Sequence, residues 1–102
     1  MTEVKFLNST DKYLEVAVKG ELDTDAVPDF AKNFEPVVKQ AAKDIMLDFT
    51  GLEYISSSGL RVLLVLAQQS QASGGTLSIK GMTPDLKQIF SLIAFDEFFK
   101  II

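Results

Sequence analysis

The spacing of apolar residues changes repeatedly along this chain, and that change restricts the fold more than any single residue does. Val4 to Leu7 and Leu14 to Lys19 are short strand candidates. In the second, Leu14, Val16 and Val18 alternate with Glu15, Ala17 and Lys19, the period of a strand with one solvated face. Ser9-Thr10-Asp11-Lys12 between them predicts a hairpin turn. The period then lengthens: Val27, Phe30, Ala31, Phe34, Val38 and Ala41 recur at helical spacing. Thr24 or Asp25 can cap that helix, and Pro28 suits its first turn. Pro36 lies inside the pattern and is expected to kink it, because it removes the bond to the Lys32 carbonyl. Ile45 to Phe49 is the near-continuous apolar run of a central strand. Ser58 to Ser73 reads as a helix, with Leu60 and Val62 to Ala67 as its buried part. Gly74-Gly75 ends it with a residue free to turn left-handed. Thr76 to Lys80 is a strand with Leu77 and Ile79 on one face. Thr83 caps a helix over Pro84 to Ile93, whose apolar stripe is Leu86, Ile89, Phe90 and Ile93. Phe98 to Ile102 completes the chain as a last strand.

The expected order is β-β-α-β-α-β-α-β over residues 1–102, one α/β domain without repeat or linker. Right-handed crossovers that march in one direction place successive helices on one face of the sheet. The fold expected is a single mixed β-sheet of four to five strands with helices mainly on one face. A chain of 102 residues buries roughly 65% of its extended surface, enough for a true core.

Composition removes whole classes of function. The chain has no cysteine and no histidine, so it lacks a thiol nucleophile, the usual base of serine hydrolases and the commonest metal ligand. Net charge is −4, the isoelectric point is near 4.6, and Arg61 is the sole arginine. Such a chain lacks the basic footprint that direct nucleic-acid binding requires. The start, Met-Thr-Glu-Val-Lys, has no apolar core of a signal peptide, and no run approaches the ~20 apolar residues of a membrane span. A cytoplasmic protein without cofactor or membrane insertion is expected.

The most informative stretch runs from Leu47 to Leu60, out of a buried strand, through a loop, to Ser56-Ser57-Ser58 before a buried helix. A serine there is first a cap, worth about 1 kcal/mol. One serine suffices for that, and three are present. Exposed helix N-termini also favour anions, so a phosphorylated serine is compatible with this position. Both readings stand on local chemistry. Asp48 fits a residue that bonds loop amides near Gly51, and Asp23 fits a turn or cap. Phe90, Phe95, Phe98 and Phe99 read as core and C-terminal packing.

The run Asp-Phe-Thr-Gly-Leu-Glu-Tyr-Ile-Ser-Ser-Ser-Gly-Leu-Arg-Val-Leu-Leu, Asp48 to Leu64, resembles the signature of the STAS family. Bacterial single-domain members of that family are anti-sigma factor antagonists. Lys19-Gly20-Glu21-Leu22-Asp23 resembles the family's second landmark. The resemblance implies a phospho-switch. The serine before Gly-Leu, here Ser58, is the acceptor for a partner that is both anti-sigma factor and serine kinase, with Ser57 as the alternative. The unphosphorylated form binds that partner, and a serine phosphatase resets the phosphorylated one. Asp23, Ser56, Ser57, Gly59, Leu60 and Arg61 are the implied partner-binding positions. Two residues depart from the family pattern: Ser56 stands where the best-known members carry aspartate, and Arg61 where a small residue is frequent. Arg61 is either a solvated first-turn residue or a phosphate contact.

Two other functions bear on the same residues. STAS domains also serve as non-phosphorylated scaffolds, including the soluble subunit of lipid-transport ATPases. An enzyme is disfavoured, because the Gly-x-Ser-x-Gly elbow lacks its leading glycine and no phosphate-binding loop is present. Asp23 and Ser58 are expected on one surface, each following a central strand. Leu60, Leu63 and Leu64 are expected to anchor the helix that Ser58 begins.

Overall fold

Among the described residues, six strands form one mixed sheet, and the apolar faces of three helices pack on one side of it. The computed structural model describes residues 2–102. β1 (Thr2–Ser9) and β2 (Tyr13–Leu22) are an antiparallel hairpin. Its turn is held by the Thr10 hydroxyl, which accepts from the amides of Lys12 and Tyr13. Then follow α1 (Val27–Val38), β3 (Asp44–Asp48), β4 (Leu52–Ile55), α2 (Ser57–Ser73), β5 (Thr76–Lys80), α3 (Pro84–Leu92) and β6 (Lys100–Ile101). A short 3-10 turn over Phe95–Glu97 precedes β6.

The sheet order is β1-β2-β3-β5-β6, and every pairing except β1 with β2 is parallel. The period-2 pattern sorts the faces. Leu14, Val16, Val18, Ile45, Leu47, Leu77 and Ile79 are buried, while Glu15, Met46 and Ser78 are half-buried and Lys19 is exposed. Phe30, Phe34, Leu63, Leu66 and Phe90 from the helices complete the core. Phe30 stacks on Phe34 at 4.9 Å. Phe90 meets Phe49, Phe95 and Phe99 edge-on, at 6.4, 5.5 and 6.2 Å between ring centres. The open face is polar: Glu15 pairs with Lys80 at 3.0 Å, and the Tyr13 hydroxyl donates to Glu15.

Several boundaries differ from expectation. Leu52–Ile55, expected as loop, is a sixth strand. β3 uses Tyr13–Ala17 of β2, and β4 uses Gly20–Leu22, two residues further along the same edge. The two strands therefore lie end to end along one edge of β2, separated by a turn in which the Leu52 amide donates to the Phe49 carbonyl. Neither Thr24 nor Asp25 caps α1. Its N-cap is Ala26, whose amide donates to Asp23 Oδ1 at 2.9 Å. Pro28 sits in the first turn as expected, and Pro36 is contained within α1, which ends at Val38. α2 begins one residue early, at Ser57, and Val65, expected to be buried, is 47% exposed. α3 stops at Leu92, leaving Ile93 exposed outside the stripe. The last strand is only Lys100–Ile101, because the amides of Phe98 and Phe99 both donate to the Phe95 carbonyl of the 3-10 turn.

Candidate functional site

The end of β2 builds the site. Leu22 and Ile55 are register partners on parallel strands, so the chain leaves the sheet at Asp23 and at Ser56 side by side. The Ser56 amide donates to the Leu22 carbonyl at 2.8 Å, which locks the two exits together. The neighbour that brings the serines to Asp23 is thus β4, where β3 was expected.

The three serines take three different positions. Ser56 has an extended backbone (φ −82°, ψ 166°), is only 6% exposed, and accepts from the Gly59 amide through Oγ at 3.2 Å. It is the N-cap of α2. Ser57, the first helical residue, is exposed, and Ser58 is half-buried. Gly59 is buried where α2 lands on the strand ends. A Cβ there would lie 2.9 Å from both Leu22 Cγ and Cδ2 and 3.0 Å from Ile55 Cγ1, so close approach demands glycine. Leu60 is half-buried against the core, and Arg61 is exposed. Deeper anchorage comes from Leu63 and Leu66, both fully buried, with Leu64 only partly so. No acidic residue lies in the first turn of α2.

Asp23 is half-buried and spends Oδ1 on the Ala26 amide. Beside it lies an open depression of about 370 Å³ lined by Thr2, Asp23, Asp25, Ala26, Asp29 and Asn33. Lower on the sheet, Asp48 Oδ1 accepts from the Thr50 amide at 3.0 Å and from the Thr50 hydroxyl, organising the turn between β3 and β4. Burial pushes the Asp48 carboxyl up, but the Thr50 bonds together with Lys80 and Lys19 outweigh it and hold the group below its usual value. Among the described residues, no group of three carboxylates converges to hold a metal ion, and no helix is long and apolar enough to cross a membrane.

The family model described as "Mlab, STAS domain" matches residues 6–102. The chain belongs to the STAS domain family. It is 27% identical over 82 residues to the anti-sigma-B factor antagonist of Staphylococcus aureus, covering 80% of this chain and 76% of that protein. An anti-sigma factor antagonist from Mycobacterium paratuberculosis shares the fold with a TM-score of 0.77 at 21% identity, over 97% of this chain and 85% of that one. The Bacillus cell-fate determinant SpoIIAA, solved in its phosphorylated form, superposes with a TM-score of 0.68 at 19% identity, over 98% and 91% of the two chains.

In this STAS domain, then, the turn from β4 into α2 is a serine-capped helix start next to Asp23. Two exposed apolar side chains are not apparent from the sequence: Tyr54, 52% exposed on β4 just before this turn, and Val65, more than two turns along α2. Tyr54 sat in an assumed loop, and Val65 in an unbroken apolar run that hides which side faces out.

Proposed function

We propose that this STAS domain is a cytoplasmic anti-sigma factor antagonist. It binds an anti-sigma factor with serine kinase activity while Ser58 is unphosphorylated, and a serine phosphatase restores that form. The observation that carries the reading is the division of labour among the serines. Ser56 alone caps α2, which leaves the hydroxyls of Ser57 and Ser58 available at a helix start. The relatedness to the S. aureus antagonist supports the partner class. Asp23, Ser57, Leu60 and Arg61 form the contact surface around Ser58. Ser56 and Gly59, both buried, act by shaping it.

The domain is the substrate of catalysis and not its agent. The chain has no histidine, the usual base for a serine nucleophile, which supports a division of roles in which the kinase brings nucleotide, Mg²⁺ and the base. Phosphorylation adds about −1.5 to −2 charges. The free amides at the start of α2 favour that anion by roughly 0.3–1 kcal/mol, and burial of Leu63 and Leu66 contributes about 1.5–3 kcal/mol each. The helix therefore persists, and the charge acts at the partner surface through repulsion and desolvation. Calorimetry with the partner kinase tests this. Ser58→Ala keeps affinity and is not phosphorylated, whereas Ser58→Asp loses affinity at a melting temperature within a few degrees of wild type. Equal affinity for both variants, or phosphate found on Ser57 by mass spectrometry, defeats the assignment.

A further inference from the structure

β1 is one lateral edge of the sheet and pairs only with β2 among the described residues, while the opposite edge, β6, offers just two residues. An edge strand presents a row of N–H and C=O groups ready to pair with another chain. β1 also leaves Phe6 44% and Leu7 45% exposed. Its regular part runs from Thr2 to Phe6 and ends at a bulge between Phe6 and Asn8. Val4 packs against the core, so Thr2, Val4 and Phe6 share the helix-covered side and Glu3 and Lys5 the open side.

A two-fold axis perpendicular to the sheet brings two β1 strands together antiparallel and keeps both faces continuous only if odd residues meet odd ones. Centred on Glu3 or on Lys5, that axis sets like charges directly opposite, which is destabilising. Centred on Val4, it pairs Glu3 with Lys5 of the second copy twice, Val4 with Val4, and Phe6 with Thr2. Inside each chain Glu3 already lies opposite Lys19, so charges alternate across the junction. On the covered side, Phe6 falls opposite Thr2, whose own partner in β2 is Gly20. A lysine on an edge strand ordinarily discourages pairing; here Glu3 supplies its counter-charge in one register alone.

We propose that the domain self-associates through β1, antiparallel about Val4, into a two-fold dimer with a continuous sheet. Five residues a side make an interface smaller than the roughly 1,200 Å² of standard complexes, so the dimer forms at high micromolar concentration. Sedimentation equilibrium from about 10 µM to about 1 mM covers that range. Wild type is expected to shift from monomer to dimer. Lys5→Glu and Glu3→Lys each weaken self-association by roughly tenfold, through like charges at both cross-strand pairs. Mixing the two variants is expected to restore a dimer, which also shows that both are folded. Monomer throughout the range, dimerisation indifferent to Lys5→Glu, or variants that fail to pair when mixed would each overturn the proposal.

Discussion

At the scale of single residues, neighbours of one chemical type are made different by their angle about a helix. Successive helical positions turn by about 100°, so Ser57 faces solvent and Ser58 only half does, while Ser56, still extended, turns its hydroxyl to the Gly59 amide. Asp48 shows the same dependence on surroundings in its titration. Unfolded, it titrates near pH 3.9; folded, its bonds from Thr50 hold it lower despite partial burial. The folded state thus binds this proton less tightly. The stabilisation is complete above the unfolded value and disappears as pH falls through the folded one. Urea unfolding between pH 6 and 2 is expected to show wild type losing its advantage over Asp48→Asn below about pH 4. A constant difference across that range would mean the carboxylate is not the source.

At the scale of elements, the decisive contact is α2 landing on the ends of β2 and β4. β2 is longer than β3, and its surplus residues Gly20–Leu22 are what pair with β4. The start of α2 is then set by the end of β4, and Gly59 marks the closest approach. Gly59→Ala improves helix propensity by about 0.8–1.0 kcal/mol. It also forces a methyl to within 2.9 Å of Leu22, a side chain only 1% exposed. Such overpacking costs about 1–3 kcal/mol, so the clash wins, by about 1 kcal/mol. Thermal unfolding of Gly59→Ala is expected at a midpoint about 4–8 °C below wild type, the shift such an energy produces in a domain of this size. An unchanged or raised midpoint would show that Leu22 can move aside freely.

At the scale of the whole molecule, the aromatic cluster ties the C-terminal segment to the sheet. Phe90 of α3 is fully buried and touches Phe49 beyond β3, Phe95 of the 3-10 turn and Phe99 before β6. Truncating a core phenylalanine costs about 3–5 kcal/mol, a large part of the 5–15 kcal/mol that holds a typical domain together. Phe90→Ala is expected to lower the urea midpoint by that much stability without changing the slope of the transition, which follows the surface exposed on unfolding. A reduced slope, or a separate early transition, would show that residues 95–102 unfold independently of the sheet.

Local chemistry was enough wherever the interacting groups are close in sequence. The Thr83 cap, three residues from the amide it accepts, was legible, as was the left-handed Gly74 that ends α2; the alternation of β2 was legible in part, since Ala17, expected on the wet face, is buried. The STAS motif was legible for the same reason, since Asp48 to Leu64 is one continuous run. What depended on distant partners was not. Leu52–Ile55 carries no clean alternation and becomes a strand only because Leu22, far back in the chain, offers its edge. Asp23, Thr24 and Asp25 are all competent caps, and the exit direction of β2 brought Asp23 to the Ala26 amide. Which of three serines caps, which is exposed, and whether Val65 faces core or solvent were all decided by where β4 ends and α2 lands. Periodicity and capping are short-range and written in the sequence; strand pairing and helix rotation come from long-range packing, which exists only once the chain has folded.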